Sequence, residues 1–258
     1  MMLGHHSSRF DDTPEQFRKA AKLVVDKCSL CTFTEVHEDD AAKAGRAKFD
    51  ELGWDTWQPP KGDPVGSDEN AFAWDTSQWA LEERAHKKLS DKRYTREGGA
   101  KAPYTVALAG LFHRLSNGDR WLIATLHLPA NTTDNNGCNV WWNNAGDGTR
   151  GDQFRESMKA LGPWLQGLRD KWDRAGASTI IAADWNQKCE CNWFKQRVDD
   201  WMPNEFVLAG GPYPNTHGES TYDWWIKGQK VKAEGDAKTF DTPASDHKLV
   251  VRKWTRQG

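Results

Sequence analysis

Five apolar runs in this sequence end on, or are interrupted by, an acid or an imidazole. Glu35 follows LCTFT. His127 lies in WLIATLHLP, where strand alternation puts Trp121, Ile123, Thr125 and His127 on one face. Asp184 ends STIIAA and leads into Trp185 and Asn186, Asp223 interrupts STYDWWI, and Asp246 and His247 stand directly before KLVV. A carboxylate in such a place loses hydration unless a cation or hydrogen-bond donors replace it. One such residue reads as a strand cap or a salt bridge. Five strand ends converging would instead crowd several carboxylates into a small volume, and a bound divalent cation is the simple way to keep them ionised. Ligation dominated by oxygen suits Mg²⁺, or Mn²⁺, better than zinc. Imidazoles beside that ion add acid–base capacity. Together these groups match a phosphodiester, which needs its charge neutralised, a water activated and a leaving oxygen protonated. Asp223 is the carboxylate available to fix the tautomer of His247.

The elements that must carry these residues alternate between strand and helix. A strand is predicted over residues 1–7. Thr13 then caps a helix with Pro14 at its first position, Gln16 completing a capping box, and Phe17, Ala20, Ala21 and Val24 as its apolar stripe. Ser29–Val36 reads as a strand, and Asp39–Leu52 as a helix stopped by Gly53. Further strands are expected at 70–75, 104–113 and 120–128, and over Ser178–Asp184, Ser220–Ile226 and Lys248–Trp254. Residues 152–173 read as a helix that Gly162–Pro163 should kink or split. Early strand–helix alternation with hairpins in the middle favours stacked sheets covered by helices.

The chain has 258 residues, enough for a large α/β domain, and 1–258 reads as one unit without a linker or repeat. Its charge of −2, from 35 basic and 37 acidic residues, argues against a histone-like arm or a polybasic anchor. No apolar run is long enough to span a membrane and the first residues do not resemble a signal peptide, so a cytoplasmic location is expected. A monomer is expected as well. Five cysteines fit reduced thiols. A Cys₄ zinc site from Cys28, Cys31, Cys189 and Cys191 is disfavoured, because the three-residue offset of Cys28 and Cys31 would point them to opposite strand faces. Residues 58–69 and 129–151 read as long loops. Residues 84–101 hold seven Lys/Arg against two acids, and Arg93 and Arg96 are the candidates for contacting a nucleic-acid backbone. Fifteen tryptophans supply core volume; in Trp141–Trp142 and Trp224–Trp225 one ring of each pair should be core and the other free to stack on a base or cover a lipid-like group. His217, in YPNTHG before the Asp223 strand, is a candidate to line the site, with a turn residue as the favoured description.

TEV at 34–36, LHLP at 126–129, ADWN at 183–186, YDWW at 222–225 and SDH at 245–247 follow one another in the order and approximate spacing of the endonuclease/exonuclease/phosphatase superfamily, which this chain resembles from about residue 30 to 254. The resemblance implies a four-layer α/β/β/α sandwich of two packed mixed sheets flanked by helices. It implies Glu35 and Asp246 as metal ligands, Asp184 as the residue that orients or deprotonates the attacking water, and Asn186 as a phosphate or metal contact. His127 would be an acid or phosphate contact, with Glu69 as its partner, and His247 the catalytic imidazole oriented by Asp223. The family carries an Asn at the end of its first strand; here that strand reads MMLGHHSS, and of His5, His6 and Ser7 as candidates for the place, His6 is the one expected as a metal ligand. The implied activity is that of a metal-dependent phosphodiesterase, in the first place a nuclease with nucleic acid as substrate. A phosphatase or phosphodiesterase for inositol-phosphate or sphingomyelin-type substrates is the alternative. A catalytically silent binding module is the reading from another class.

Overall fold

The computed structural model describes residues 1–8, 13–37, 39–60, 69–95, 99, 101–129, 150–172, 177–188, 198–202, 206–211, 213–243 and 245–257. Strands β1 (Met2–Ser7), β2 (Leu30–Thr34), β3 (Trp54–Trp57) and β4 (Ala71–Asp75) join β11 (Val231–Phe240) and β12 (Leu249–Arg256) in one sheet, ordered β11-β12-β1-β2-β4-β3. The second sheet takes the chain's middle: β5 (Trp79–Lys88), β6 (Val106–Arg114), β7 (Arg120–Leu126), β8 (Ser178–Asp184), β9 (Phe206–Leu208) and β10 (Asp223–Gly228), ordered β5-β6-β7-β8-β10-β9. Each sheet has a parallel pair inside it, β1–β2 and β7–β8, with antiparallel strands on either side. Parallel neighbours need a crossover, and helices supply it. α1 (Pro14–Lys27) joins β1 to β2, and α3 (Arg150–Trp172) lies between β7 and β8; α2 (Asp40–Glu51) follows β2.

Local chemistry sets these boundaries. The Thr13 hydroxyl accepts from the Gln16 N–H while the Gln16 side chain accepts from the Thr13 N–H, which closes the capping box of α1. Asp39 caps α2 by accepting from the Ala42 N–H, and Gly53 ends the following turn at φ +77°. Of the two expected effects of Gly162–Pro163, the split does not occur: α3 runs through Pro163. The missing backbone bond costs about 3 kcal/mol, but Phe154, Met158, Leu161, Leu165 and Leu168 are buried on both sides of the proline and hold the helix on the sheet. Strands β3, β5, β9 and β11 were not among those expected. The β5 and β11 sequences are dominated by charged and small residues, so they lack the apolar alternation by which strands are recognised.

Three apolar layers follow from alternation along the strands. Leu3, Leu30, Phe72, Ile123, Ile180, Trp225 and Val250 meet between the sheets. Leu122, Ala124, Ile181, Ala183 and Trp224 pack against α3. Cys31, Phe33, Leu249 and Val251 pack with Ala21, Val24 and Phe49 of α1 and α2. Helix, sheet, sheet, helix is the four-layer sandwich the sequence implied. Trp224 and Trp225 are both fully buried, each in a different layer, so neither is the free stacking ring expected. Cys28 and Cys31 are free thiols whose Sγ atoms both lie over Gly4, on the same side rather than on opposite faces. Cys28 is the C-cap of α1, ahead of the strand, so strand parity does not govern it. Arg96, Cys189, Cys191, Trp141, Trp142 and most of the two long loops lie outside the described residues.

Candidate active site

The two parallel pairs end at one place. The C-terminal ends of β1, β2, β7 and β8 meet in a cleft of about 670 Å³ whose lining includes Glu35, His127, Asp184, Asn186, Asp246 and His247. Parity explains which side chains enter it. Ile180 and Ala182 face the opposite sheet, so Asp184 does too, and Trp225 likewise brings Asp223 inward. Glu35 is the exception. Counting on from Cys31 and Phe33 would put it on the helix side, but its backbone turns left-handed at φ +57°. Its Oε1 then lies 3.7 Å from His127 Nε2. Asn186, at φ +50°, is the other non-glycine residue with positive φ among those described. Such a backbone costs on the order of 1–3 kcal/mol and gathers at working sites.

Main-chain bonds fix the strand ends. His127 bridges Asp184, and the Leu128 N–H donates to the Asp184 carbonyl. Trp185 donates to the Tyr222 carbonyl through its backbone N–H and to the Trp224 carbonyl through its indole, whose ring stacks on that of Trp224. The Ser245 hydroxyl donates to the Ser7 carbonyl and accepts from the His247 N–H, tying the segment before β12 to the end of β1.

Asp184 is buried, and its Oδ1 accepts from the Asn186 N–H at 2.9 Å and its Oδ2 from the Ser7 hydroxyl at 3.3 Å. The Asn186 amide donates to the Leu128 carbonyl. His127 sits among three carboxylates: Glu35, Asp184 at 3.8 Å and Glu69 at 3.9 Å from its Nδ1. Burial alone would lower the His127 pKa; Glu69, Asp184 and Glu35 overcome it and hold the imidazole up to about 9. His247 Nδ1 lies 2.8 Å from Asp223 Oδ2 and 3.8 Å from Asp184 Oδ2. Burial again works downward, and Asp223, Asp184 and Glu35 lift His247 to about 10. Burial pushes Asp223 up, but the imidazoles of His247 and His5 outweigh it and keep its carboxyl well below the usual range. Burial, with Asp184 nearby, raises Glu35.

The structure thus brings together Glu35, His127, Asp184, Asn186, Asp223 and His247, with Glu69 beside them. Asp246 stands at the half-exposed rim, its Oδ2 3.2 Å from His217 Nε2. His6 does not join them. It lies on the opposite face of β1 from His5 and Ser7, its ring edge-on to Phe33 and its nitrogens beside the Thr242 and Ser8 hydroxyls. Burial lowers its pKa to about 3, so it is a neutral core imidazole. Ser7, the next of the three candidates, takes the inward place, as the strand's parity requires. Arg93 closes a loop by donating to the Ala102 and Lys101 carbonyls and lies over the Tyr104 ring. Tyr94, Ala102 and Tyr104, on either side of this contact, also line the cleft. His217, a candidate favoured from sequence as a turn residue, lines the cleft with its ring 4.6 Å from that of His247. Among the described residues, two groups have atoms within 4.8 Å of one another and could hold a cation: His217, Asp246 and His247, and Asp184, Asp223 and His247.

No sequence-family profile and no curated protein matches the chain. Solved structures do. An endonuclease/exonuclease/phosphatase from Bacteroides vulgatus superposes with a TM-score of 0.70 at 12% identity, over 99% of this chain and 98% of that one. The human Nocturnin catalytic domain gives 0.66 at 18% identity, over 100% and 93%. The Bacteroides thetaiotaomicron mannosyl-6-phosphatase gives 0.66 at 13%, over 99% of both chains. With two mixed six-stranded sheets between helices and strand ends meeting in one acidic and imidazole-lined cleft, the chain has the fold of the endonuclease/exonuclease/phosphatase superfamily.

Proposed function

We propose that the protein is a divalent-metal-dependent phosphoesterase, acting foremost as a nuclease. The observation that carries this reading is the meeting of Glu35, His127, Asp184, Asn186 and the Asp223–His247 pair at the ends of strands from both sheets. The donor set suits a hard ion: Glu35 is raised by burial and by the charge of Asp184, a strain a cation would relieve. Glu35, with Asp246 at the rim, would hold Mg²⁺ or Mn²⁺, and the ion would supply charge neutralisation for the phosphate. Asp184, fixed by Asn186 and Ser7, orients the attacking water and takes its proton as the water oxygen bonds to phosphorus. His127 and His247, both protonated at neutral pH, face the phosphate oxygens. Between them they neutralise charge and give a proton to the leaving oxygen as its bond to phosphorus breaks.

The aromatic part of the lining favours nucleic acid over a lipid head group. Tyr94, from the basic segment 84–101, and Tyr104, just beyond it, line the cleft, with Lys88 and Arg93 over Tyr104 and Arg150 over Tyr94. Cations flanking aromatic rings suit a polyanion whose bases can stack. Incubation with plasmid DNA and with RNA, in Mg²⁺ and in EDTA, tests the reading. Metal-dependent cleavage that disappears in Asp184→Ala and His247→Ala is expected. Cleavage only of inositol phosphates, sphingomyelin or sugar phosphates in the same panel would move the substrate to small phosphoesters. No hydrolysis of any of them would leave the silent module.

A further inference from the structure

His5 is a fully buried imidazole that the chemistry above does not use. Its place is fixed by β1–β2 pairing, in which His5 stands opposite Thr32. Its Nδ1 lies 2.7 Å from Thr32 Oγ1, while Nε2 faces Asp223 Oδ1 at 3.4 Å. Neither His5 Nε2 nor Asp223 Oδ1 has a formed hydrogen bond, and both are buried. Each is therefore the partner available to the other, at a distance slightly beyond a closed bond. The proton positions follow from what each partner can donate or accept. Asp223 Oδ1 can only accept, so the tautomer that serves it has its proton on Nε2, and Nδ1 at 2.7 Å then accepts from the Thr32 hydroxyl in preference to the Gly4 carbonyl at 3.4 Å. A neutral His5 then carries its own proton on Nε2, aimed at Asp223. The order is Thr32 to His5 to Asp223 from one side and His247 to Asp223 from the other.

A buried carboxylate held at one oxygen is free to turn about a broad torsion. Held at both, it keeps one orientation. Nothing in the packing asks for an imidazole here, since Leu3, Val250 and Trp225 belong to the same layer between the sheets. We propose that His5 is a positioning residue, which holds the second oxygen of Asp223 so that Asp223 keeps His247 in its working orientation. The role rests on the phosphoesterase reading for the chemistry it serves, but not for the hydrogen bond itself.

Two measurements test it. The ¹⁵N spectrum of the His5 ring in the full chain should show a protonated Nε2 and a bare Nδ1; the opposite tautomer overturns the proposal, whatever the protein hydrolyses. Hydrolysis of bis(p-nitrophenyl) phosphate in Mg²⁺ should lose about 10- to 100-fold in kcat in His5→Leu at little changed KM. His5→Gln, whose amide can reach Asp223 as a donor, should recover most of the loss. Equal kcat losses in both variants, or none in either, overturn it. Should His5→Leu not fold, Thr32→Val keeps the imidazole and removes its anchor, and an unchanged kcat there refutes the assignment. Wild-type protein inert toward the ester counts against the phosphoesterase reading, and the ring spectrum then decides the role of His5 in holding Asp223.

Discussion

Replacing Asp223 by Asn removes one charge from the buried centre of the site and leaves the shape nearly unchanged. Asp223 Oδ2 is 2.8 Å from His247 Nδ1, and the centres of the two charges are about 4 Å apart, where a pair at an effective dielectric of 20 is worth about 4 kcal/mol. That is about three pK units. His247 should therefore titrate near neutrality in Asp223→Asn rather than at about 10. The assay is a ¹⁵N or ¹³C titration of the imidazole by NMR, which needs no substrate. Two consequences accompany it. Hydrolysis at pH 7 should fall about 10²- to 10⁴-fold, the usual worth of a positioned acid or base. The stability profile should also flatten. His247 is raised in the folded protein above its ordinary 6.5, so its contribution is complete below pH 6.5 and is lost as pH climbs toward 10. Asp223 is depressed, so its contribution is present above pH 3.8 and lost in stronger acid. Wild type should lose stability between pH 6.5 and 10, and Asp223→Asn should lose much less. A His247 titration within half a unit of wild type would refute the claim that Asp223 governs this imidazole.

Glu69→Gln should lower the His127 titration from about 9 by about one to two units, read from the same spectra; an unmoved His127 would remove Glu69 from its set of partners. Glu35→Gly should cost activity but gain about 1 kcal/mol in urea unfolding, because it relieves a left-handed backbone and a crowded, buried carboxylate. A loss of stability would show that the carboxylate is held more favourably than its surroundings imply. Gly4→Ala would place a Cβ 2.8 Å from Cys28 Sγ and 3.2 Å from Cys31 Sγ, and should destabilise by about 1–3 kcal/mol in denaturant.

The layers and most of the site were legible in the sequence because both obey strand parity. Strands buried on two faces read as continuous apolar runs, and an acid or imidazole closing such a run announces where the strand meets the cleft. His6 was misplaced by a single residue, and in a strand one residue is the difference between the two faces. Parity from Leu3 points to His5 and Ser7, but the two adjacent histidines drew attention to the wrong member of the pair. For His217 the turn was the favoured of two readings because its surroundings carry no periodic signal; what brings it to the cleft is a backbone bridge to His247, thirty residues away in the chain. Strands β5 and β11 escaped because their exposed faces are charged.

The first strand is flanked by β2, close behind it in the sequence, and by β12, which arrives only after the whole second sheet has been made. While the chain is still leaving the ribosome, one side of β1 carries a row of open amide and carbonyl groups, a template for the wrong partner and a natural perch for a chaperone. The strand that closes this gap also draws in the segment bearing His247. The edge of β1 is therefore sealed in the same event that brings His247 to the cleft, so a half-made chain has both an open edge and an incomplete site.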